Sequence, residues 1–342
     1  MCARMLISRE KGRFKEIDVV KTSLGQFQTR GEAWLTPVVL EFIRSRQPAI
    51  LFDPFAGHGD LLRAARTAVG GKIKGLDIDP RTGWAHNDSL DHIPKLDDAL
   101  IVTNPPYLAE HSARRKGVHA NVARHYKQRR DLYQLALDRC QAACPYTVAI
   151  VPETIINSAY PKTHFTSITV LEQNPFDDTD CPVCVVCIDR QIAPPQNGPM
   201  LYVGERPILS LAALERARLC SRKDKRIIFN AQSGRIALRA VDLPGGDKPI
   251  AFMRREESDY PSEKIKISSR LITFIELQDV PDSRTDAVIA NANRLLATHR
   301  KKTADLALSP FKGNTKAGKR RRRLDYRTAR AILERAIDDE SV

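Results

Sequence analysis

Short, unbroken apolar runs alternate with stretches of helical period along the first half of the chain. Val38, Val39, Phe42 and Ile43 recur at helical spacing, and Thr36-Pro37 ahead of them offers an N-cap and a proline at the first helical position. Ala49 to Phe52 is a short run of strand type, and Leu61, Leu62 and Ala65 mark a second helix. Lys72 to Leu76 reads as a second strand, and a shorter element ends near Asn87-Asp88-Ser89-Leu90. Ala99 to Val102 is the kind of run expected of a strand buried on both faces. A helix opening at Asp131-Leu132-Tyr133 carries Leu132, Leu135, Ala136 and Cys140 on its apolar side. Strands follow over Thr147 to Val151 and Ser167 to Leu171, and Cys181 to Ile188 reads as a closing hairpin.

The proline-rich, polar run Gln191 to Pro199 then marks a domain boundary, with one domain over residues 20–192 and another over 200–342. Past it, one helix is predicted over Leu209 to Arg218 and a short alternation at Ile227-Ile228-Phe229. Pro244-Gly245-Gly246-Asp247 is a turn. Short strands are predicted around Ile265 to Ile267 and Leu271 to Leu277, then a helix from about Arg284 to Thr298 and an amphipathic helix from Tyr326 to Ile337.

Strand, glycine loop, helix, strand and acidic residue, in that order, describe a doubly wound nucleotide-binding half. The loop is Asp53-Pro54-Phe55-Ala56-Gly57-His58-Gly59, and the acid is Asp77. An acidic side chain at that point suits ribose hydroxyls. The third glycine of the dinucleotide fingerprint is missing, and a carboxylate at Asp53 repels a pyrophosphate. The loop therefore suits a cationic or zwitterionic ligand, such as one carrying an ammonium and a sulfonium, with a nicotinamide dinucleotide as the less favoured alternative. The Ala99–Val102 strand stops at Asn104-Pro105-Pro106-Tyr107, since consecutive prolines cannot continue a ladder. That puts an amide and an aromatic ring at the carboxyl edge, where open α/β sheets bind ligands. For this tetrapeptide alone, an ordinary proline turn is the competing reading.

Charge narrows the partners. The chain has 342 residues, 42% of them hydrophobic, and a formal net charge of +14, which points to a polyanion, nucleic acid before an anionic membrane. Arg114, Arg115 and Lys116 lie in a basic loop just after Tyr107; residues 301–330 hold eleven Lys/Arg against two Asp, including Lys319, Arg320, Arg321, Arg322 and Arg323. Either run can be a solvated face; together they favour phosphate contact by a basic tail. No apolar run approaches the roughly 18 residues of a membrane span and no signal-peptide pattern opens the chain, so the protein is read as cytoplasmic. Seven cysteines, an odd number, fit reduced thiols, and Cys181, Cys184 and Cys187 read as structural strand cysteines, with no metal assigned.

The three signatures at Asp53–Gly59, Gly75-Leu76-Asp77-Ile78-Asp79-Pro80 and Asn104–Tyr107 together resemble the AdoMet-dependent N6-adenine DNA methyltransferases. With Thr36-Pro37 ahead of the loop and a long extension behind the catalytic half, the order resembles the gamma class of restriction-modification enzymes. The likeness covers about residues 22–190, with Asp131-Leu132-Tyr133, Val151-Pro152-Glu153 and Asn174-Pro175-Phe176 at the weaker later motifs. It implies an α/β fold: a doubly wound Rossmann-like methyltransferase sheet followed by a mixed α+β target-recognition domain. S-adenosyl-L-methionine is the implied cofactor, held by Thr36, Pro37, Asp53, Pro54, Phe55, Ala56, Gly57 and Gly59, with Asp53 facing the ammonium. Asp77 would take the ribose hydroxyls, Ile78 the adenine face and Asp88 its exocyclic amine. Asn104 and the Pro105 carbonyl, held by Pro106, would accept from N6 of the target adenine, between Tyr107 and Phe176 as walls. Gly25-Gln26-Phe27-Gln28-Thr29 also resembles the family's Gly-Gln-aromatic element, so either Thr29 or Thr36 meets the cofactor. The implied partner is double-stranded DNA, with a cognate restriction endonuclease acting separately as an option, no membrane, and a monomer favoured in a bacterial or archaeal nucleoid.

The chemistry fits these residue types. An adenine amino nitrogen is a poor nucleophile, and two fixed acceptors on its protons stabilise the positive charge that grows as it attacks. The base must leave the duplex to be reached, and aromatic walls offset its lost stacking. Three rival readings stay open: an RNA adenine-N6 methyltransferase, a protein glutamine methyltransferase, and a nucleic-acid-binding protein without turnover.

Overall fold

The computed structural model describes residues 25, 27, 29, 31–176, 179–246, 248–258, 271–315 and 318–339. Gln26, Gln28, Asp247 and the strand expected at Ile265 to Ile267 lie outside them. The chain forms two compact units: one reaches Ile155 and adds Ala159–Pro207, and the other takes Ile156–Ser158 and the chain from Ile208.

The first unit opens with α1 (Pro37–Arg46), started by Pro37 and stopped where Gln47 turns left-handed. Then come β1 (Ile50–Asp53), α2 (Asp60–Val69), β2 (Lys72–Asp77), β3 (Ala85–His86) and β4 (Ala99–Thr103). After three short helical segments follow α3 (Leu132–Ala143), β5 (Tyr146–Pro152), β6 (Phe165–Val170), β7 (Val183–Asp189), β8 (Met200–Val203) and β9 (Arg206–Ser210). These strands form one sheet in the order β3-β2-β1-β4-β5-β7-β6-β8-β9. β3, β2, β1, β4 and β5 run parallel, and β7 is wedged antiparallel between β5 and β6. Every residue of β4 and of β7 is buried, which is why both read as continuous apolar runs. Cys184 and Cys187 lie in β7 among them.

From β1 the chain winds outward to β2 and β3, then returns to β1's other side with β4 and continues to β5. The strand order therefore reverses between β1 and β4. A doubly wound sheet binds its ligand in the crevice beyond the carboxyl ends at such a point. Here that crevice is bordered by the residues after Asp53 and after Thr103.

The sequence and the structure differ after residue 190. Gln191–Pro199 does not leave the sheet: β8 returns and pairs in parallel with β6, so the chain passes to the second unit only within β9. Leu209 and Ser210 are strand, leaving a shorter helix α4 (Leu211–Ala217) whose Ser210 cap accepts from the Ala213 N–H at 3.3 Å.

The second unit holds β10 (Ile227–Phe229), β11 (Ile236–Arg239), β12 (Ala251–Arg254) and β13 (Ile272–Leu277), antiparallel in the order β10-β13-β11-β12. One face packs on α5 (Thr285–Thr303), which continues past the expected Thr298, and on α6 (Tyr326–Asp338) through Leu238, Phe252, Ile275, Leu296 and Ile332. Between the helices, β14 (Ser309–Asn314) and β15 (Arg320–Arg323) form a hairpin. The arginine run is thus a strand, not a tail. Arg322 is buried, its N–H donating to the Asp242 carboxylate at 2.9 Å. The Arg321 guanidinium lies 4.8 Å over the Phe311 ring and donates to the Asp242 carbonyl. A strand rich in arginine is stable here because stacking and main-chain acceptors take up those groups.

Candidate active site

The loop after β1 is wound tightly by its own main chain. Phe55 N–H donates to Asp53 Oδ1 at 2.9 Å, Ala56 N–H to the Leu76 carbonyl at 2.9 Å, Gly57 N–H to Asp77 Oδ2 at 2.7 Å and Gly59 N–H to the Ala56 carbonyl at 2.7 Å. Gly57 and Gly59 both have positive φ, and Gly59 caps α2. A site for pyrophosphate aims such N–H groups at the ligand; here four of them are spent inside the protein. The loop's charge agrees, with carboxylates at Asp53, Asp60 and Asp77.

Asp53 is buried, and Thr103 Oγ1 also donates to its Oδ1 at 2.6 Å. Its Oδ2 carries no hydrogen bond among the described residues. Burial pushes its carboxyl up to about 7, the Thr103 and Phe55 donors oppose this, and Asp77 adds to it. Asp77 is half-buried and also accepts from the Asp79 N–H at 2.8 Å, so each oxygen keeps one lone pair. Beside it Ile78 is 49% exposed, a bare apolar side chain at the strand end.

Asp53, Phe55, Ala56, Gly57 and Asn104 line one narrow cavity of about 60 Å³, with Phe27, Thr29, His58, Asp60 and Leu61. Thr29 is thus the threonine on the cavity; its buried Oγ1, like that of Thr36, has no partner among the described residues. Thr36 and Pro37 start α1 and are not among the lining residues; Pro54 is buried behind the loop.

Asn104 is held at both ends. Its Nδ2 donates to the Phe27 carbonyl at 2.8 Å, and its Oδ1 accepts from the Tyr107 hydroxyl. That hydroxyl has one proton, which Asn104 Oδ1 shares with the Ile150 carbonyl 2.7 Å away. Burial drives the phenol's pKa well above its ordinary value, so it stays a donor. Pro105 and Pro106 are buried, and no donor among the described residues reaches the Pro105 carbonyl. Tyr107 is buried too, its ring centroid 5.8 Å from Phe27, 6.1 Å from Phe176 and 6.4 Å from Tyr133. The expected walls Tyr107 and Phe176 therefore form one aromatic cluster, with Phe27 against both.

Asp88 does not stand free for an amine. Oδ1 accepts from the Leu90 N–H at 3.1 Å, and Oδ2 pairs with Arg124 at 2.6 Å. Asp91 and His125 join this group, with Arg124 also 3.0 Å from Asp91. Among the basic residues singled out, Arg114 pairs with Glu110 at 2.7 Å, while Arg115, Lys116 and Lys319 are exposed. Arg320, Arg321 and Arg323 are half-buried on β15 beside the buried Arg322.

Sequence reading missed Thr103 and Trp84, and named Phe27 only as part of the Gly-Gln-aromatic element, with no role for its carbonyl. Trp84 Nε1 donates to the Gly57 carbonyl at 3.1 Å, and its ring fills the space where a Cβ on Gly59 or Gly75 would sit. A lone tryptophan four residues past the Gly75–Pro80 signature carries no pattern of its own that says where its ring packs.

No protein-family model and no curated protein matches the chain. Among solved structures, it is similar to the type I restriction-modification methyltransferase subunit from Streptococcus thermophilus, at 16% identity over 56% of this chain and 53% of that one, TM-score 0.39. The EcoKI M protein of a type I restriction enzyme shares 14% identity over 82% of this chain and 72% of its own, TM-score 0.35. An rRNA methylase from Streptococcus thermophilus shares 12% over 44% and 93%, TM-score 0.30. The chain spans about half the length of the first of these. Likenesses this distant assign neither activity nor ligand to this protein.

Proposed function

We propose that this protein is an S-adenosyl-L-methionine-dependent methyltransferase acting on N6 of adenine in duplex DNA, of the gamma order found in restriction-modification systems. The observation that carries the reading is the meeting of two different acceptor sets at the switch point of the sheet. One is the acidic loop at Asp53–Gly59; the other is Asn104 with the Pro105 carbonyl.

The residues fit the cofactor's chemistry. Asp53 offers a free oxygen to an ammonium, Asp77 keeps two lone pairs for ribose hydroxyls, and Ile78 offers an apolar face to a purine. Loop N–H groups that are already satisfied speak against a phosphate ligand. When bound, the sulfonium supplies the electrophilic methyl group. The protein's part is to hold the target amine: the second lone pair of Asn104 Oδ1 and the Pro105 carbonyl each accept a hydrogen bond from one of its N–H groups and stabilise the charge that develops there. Adenine reaches such a site only when flipped from the helix. Residues 200–342 are the proposed target-recognition region, with Lys319 and the loop residues Arg115 and Lys116 as phosphate contacts.

The purified protein is expected to transfer labelled methyl groups from the cofactor to unmethylated duplex DNA, read by digestion to nucleosides. Label on RNA adenine alone, or on protein, moves the substrate to one of the rivals.

Asp53 gives the cofactor step a pH signature. Only the ionised carboxylate attracts an ammonium, and its pKa lies near 7 in the free protein. Cofactor affinity should therefore rise with pH, up to about tenfold per unit between about pH 5 and 7, and level off above. Calorimetric titration across that range checks it, with Asp53→Asn giving weak, pH-independent binding. A flat wild-type profile sinks the assignment of Asp53.

A further inference from the structure

We propose that the main-chain carbonyl of Phe27 fixes the orientation of the Asn104 amide and thereby restricts the target pocket to bases with an amino group, not a keto oxygen, at purine C6 or pyrimidine C4. This deepens, and rests on, the methyltransferase reading above.

A primary amide has two faces that differ in kind: an oxygen that accepts and an NH₂ that donates. A loose asparagine can turn either toward a base. With the NH₂ outward it would receive a keto oxygen, as on guanine or thymine; with the oxygen outward it receives an amino group, as on adenine or cytosine. In this protein the choice is made by a third party. A carbonyl can only accept, so at 2.8 Å from the Phe27 oxygen the Asn104 atom must be the nitrogen. The oxygen then points the other way, one lone pair toward Tyr107 and the other available to a ligand. A keto base would meet oxygen against oxygen.

The Phe27 carbonyl is in reach because of its neighbours. The Gly25 carbonyl accepts from the Tyr107 N–H at 2.8 Å, and Thr29 forms an antiparallel bridge with Phe176. Gly25 has φ +78°, and a Cβ there would lie 2.3 Å from the Tyr107 carbonyl oxygen. Any side chain at 25 must push the segment off Asn104–Tyr107. Gly25 and Phe27 are positioning residues: neither supplies an acceptor to the amine in this scheme.

The test reads the amide itself. In full-length protein labelled with [15N]asparagine, the Asn104 side-chain signal, identified by its loss in Asn104→Ala, is expected to exchange with solvent about tenfold or more slower than free amides. Gly25→Ala is expected to remove that protection and lower kcat for methyl transfer to unmethylated genomic DNA on the order of 100-fold, with KM for the cofactor held. A freely exchanging Asn104 amide in the wild type overturns the proposal, as does a Gly25→Ala protein with wild-type kcat. A protected Asn104 in a wild type that methylates no nucleic acid overturns the methyltransferase reading, and base selection with it.

Discussion

Asn104→Asp is expected to abolish methyl transfer, lowering kcat on the order of a thousandfold while cofactor binding survives. The substitution is nearly isosteric and keeps an acceptor for the target amine, so a site that needs only acceptors would tolerate it. What it removes is the Nδ2 donor to the Phe27 carbonyl at 2.8 Å. A carboxylate oxygen there faces a carbonyl oxygen, and the repulsion drives the side chain out of register or the Gly25–Thr29 segment away. Protonating the carboxyl would restore a donor to the Phe27 carbonyl and keep an acceptor, but holding it neutral costs about 1.4 kcal/mol for each pH unit above its pKa. Single-turnover transfer of labelled methyl groups, beside a direct cofactor titration, separates the two steps. Activity within tenfold of wild type would show that the donor is dispensable.

The second large effect concerns stability. Asp242→Ala is expected to destabilise the second unit by about 3–5 kcal/mol, as when one partner is cut from a buried ion pair. Asp242 is 6% exposed; Oδ1 accepts from the Ile250 N–H and from Arg300, and Oδ2 from Arg300 and the Arg322 N–H, all within 3.0 Å. Truncation leaves two main-chain donors unmet and Arg300 with Asp305 alone. Burial raises the carboxyl's pKa, but Arg300 and the two N–H donors outweigh it and hold the group below its ordinary value. The sign follows: this stabilisation is present at neutral pH and is lost as acid protonates Asp242. Hydrogen exchange should show faster opening in peptides around β11, β12 and β15, with those from β1 and β4 unchanged. Equal loosening of both sets would refute a local role.

Much of the first unit was legible because buried parallel strands have to be continuous apolar runs. Ala99–Val102 fell within a residue of β4 for that reason. Sheet order was not legible. Nothing local in Val183–Asp189 says that it enters between β5 and β6, since that follows from pairing with residues far along the chain. The loop glycines and Asn104 were found by pattern, yet what orients Asn104 lies 77 residues away, in a main-chain carbonyl that has no sequence signature. Arg320–Arg323 were read as part of a basic tail for phosphate contact, whereas they form a strand. Which arginines stack or reach buried acceptors is decided by Phe311 and Asp242. Asp88, expected to accept from an exocyclic amine, has a partner in Arg124 that its local sequence does not announce.

Trp84 equips the protein with an optical gauge of its own loop. The chain has two tryptophans, and Trp34 is fully buried, so its emission forms a constant background. The indole of Trp84 is half-exposed, donates to the Gly57 carbonyl and rests against Gly59 and Gly75. A molecule settling on that loop changes the polarity around one fluorophore and little around the other. Ligands can thus be ranked by titrating the unlabelled protein in a cuvette, before any substrate sequence is known.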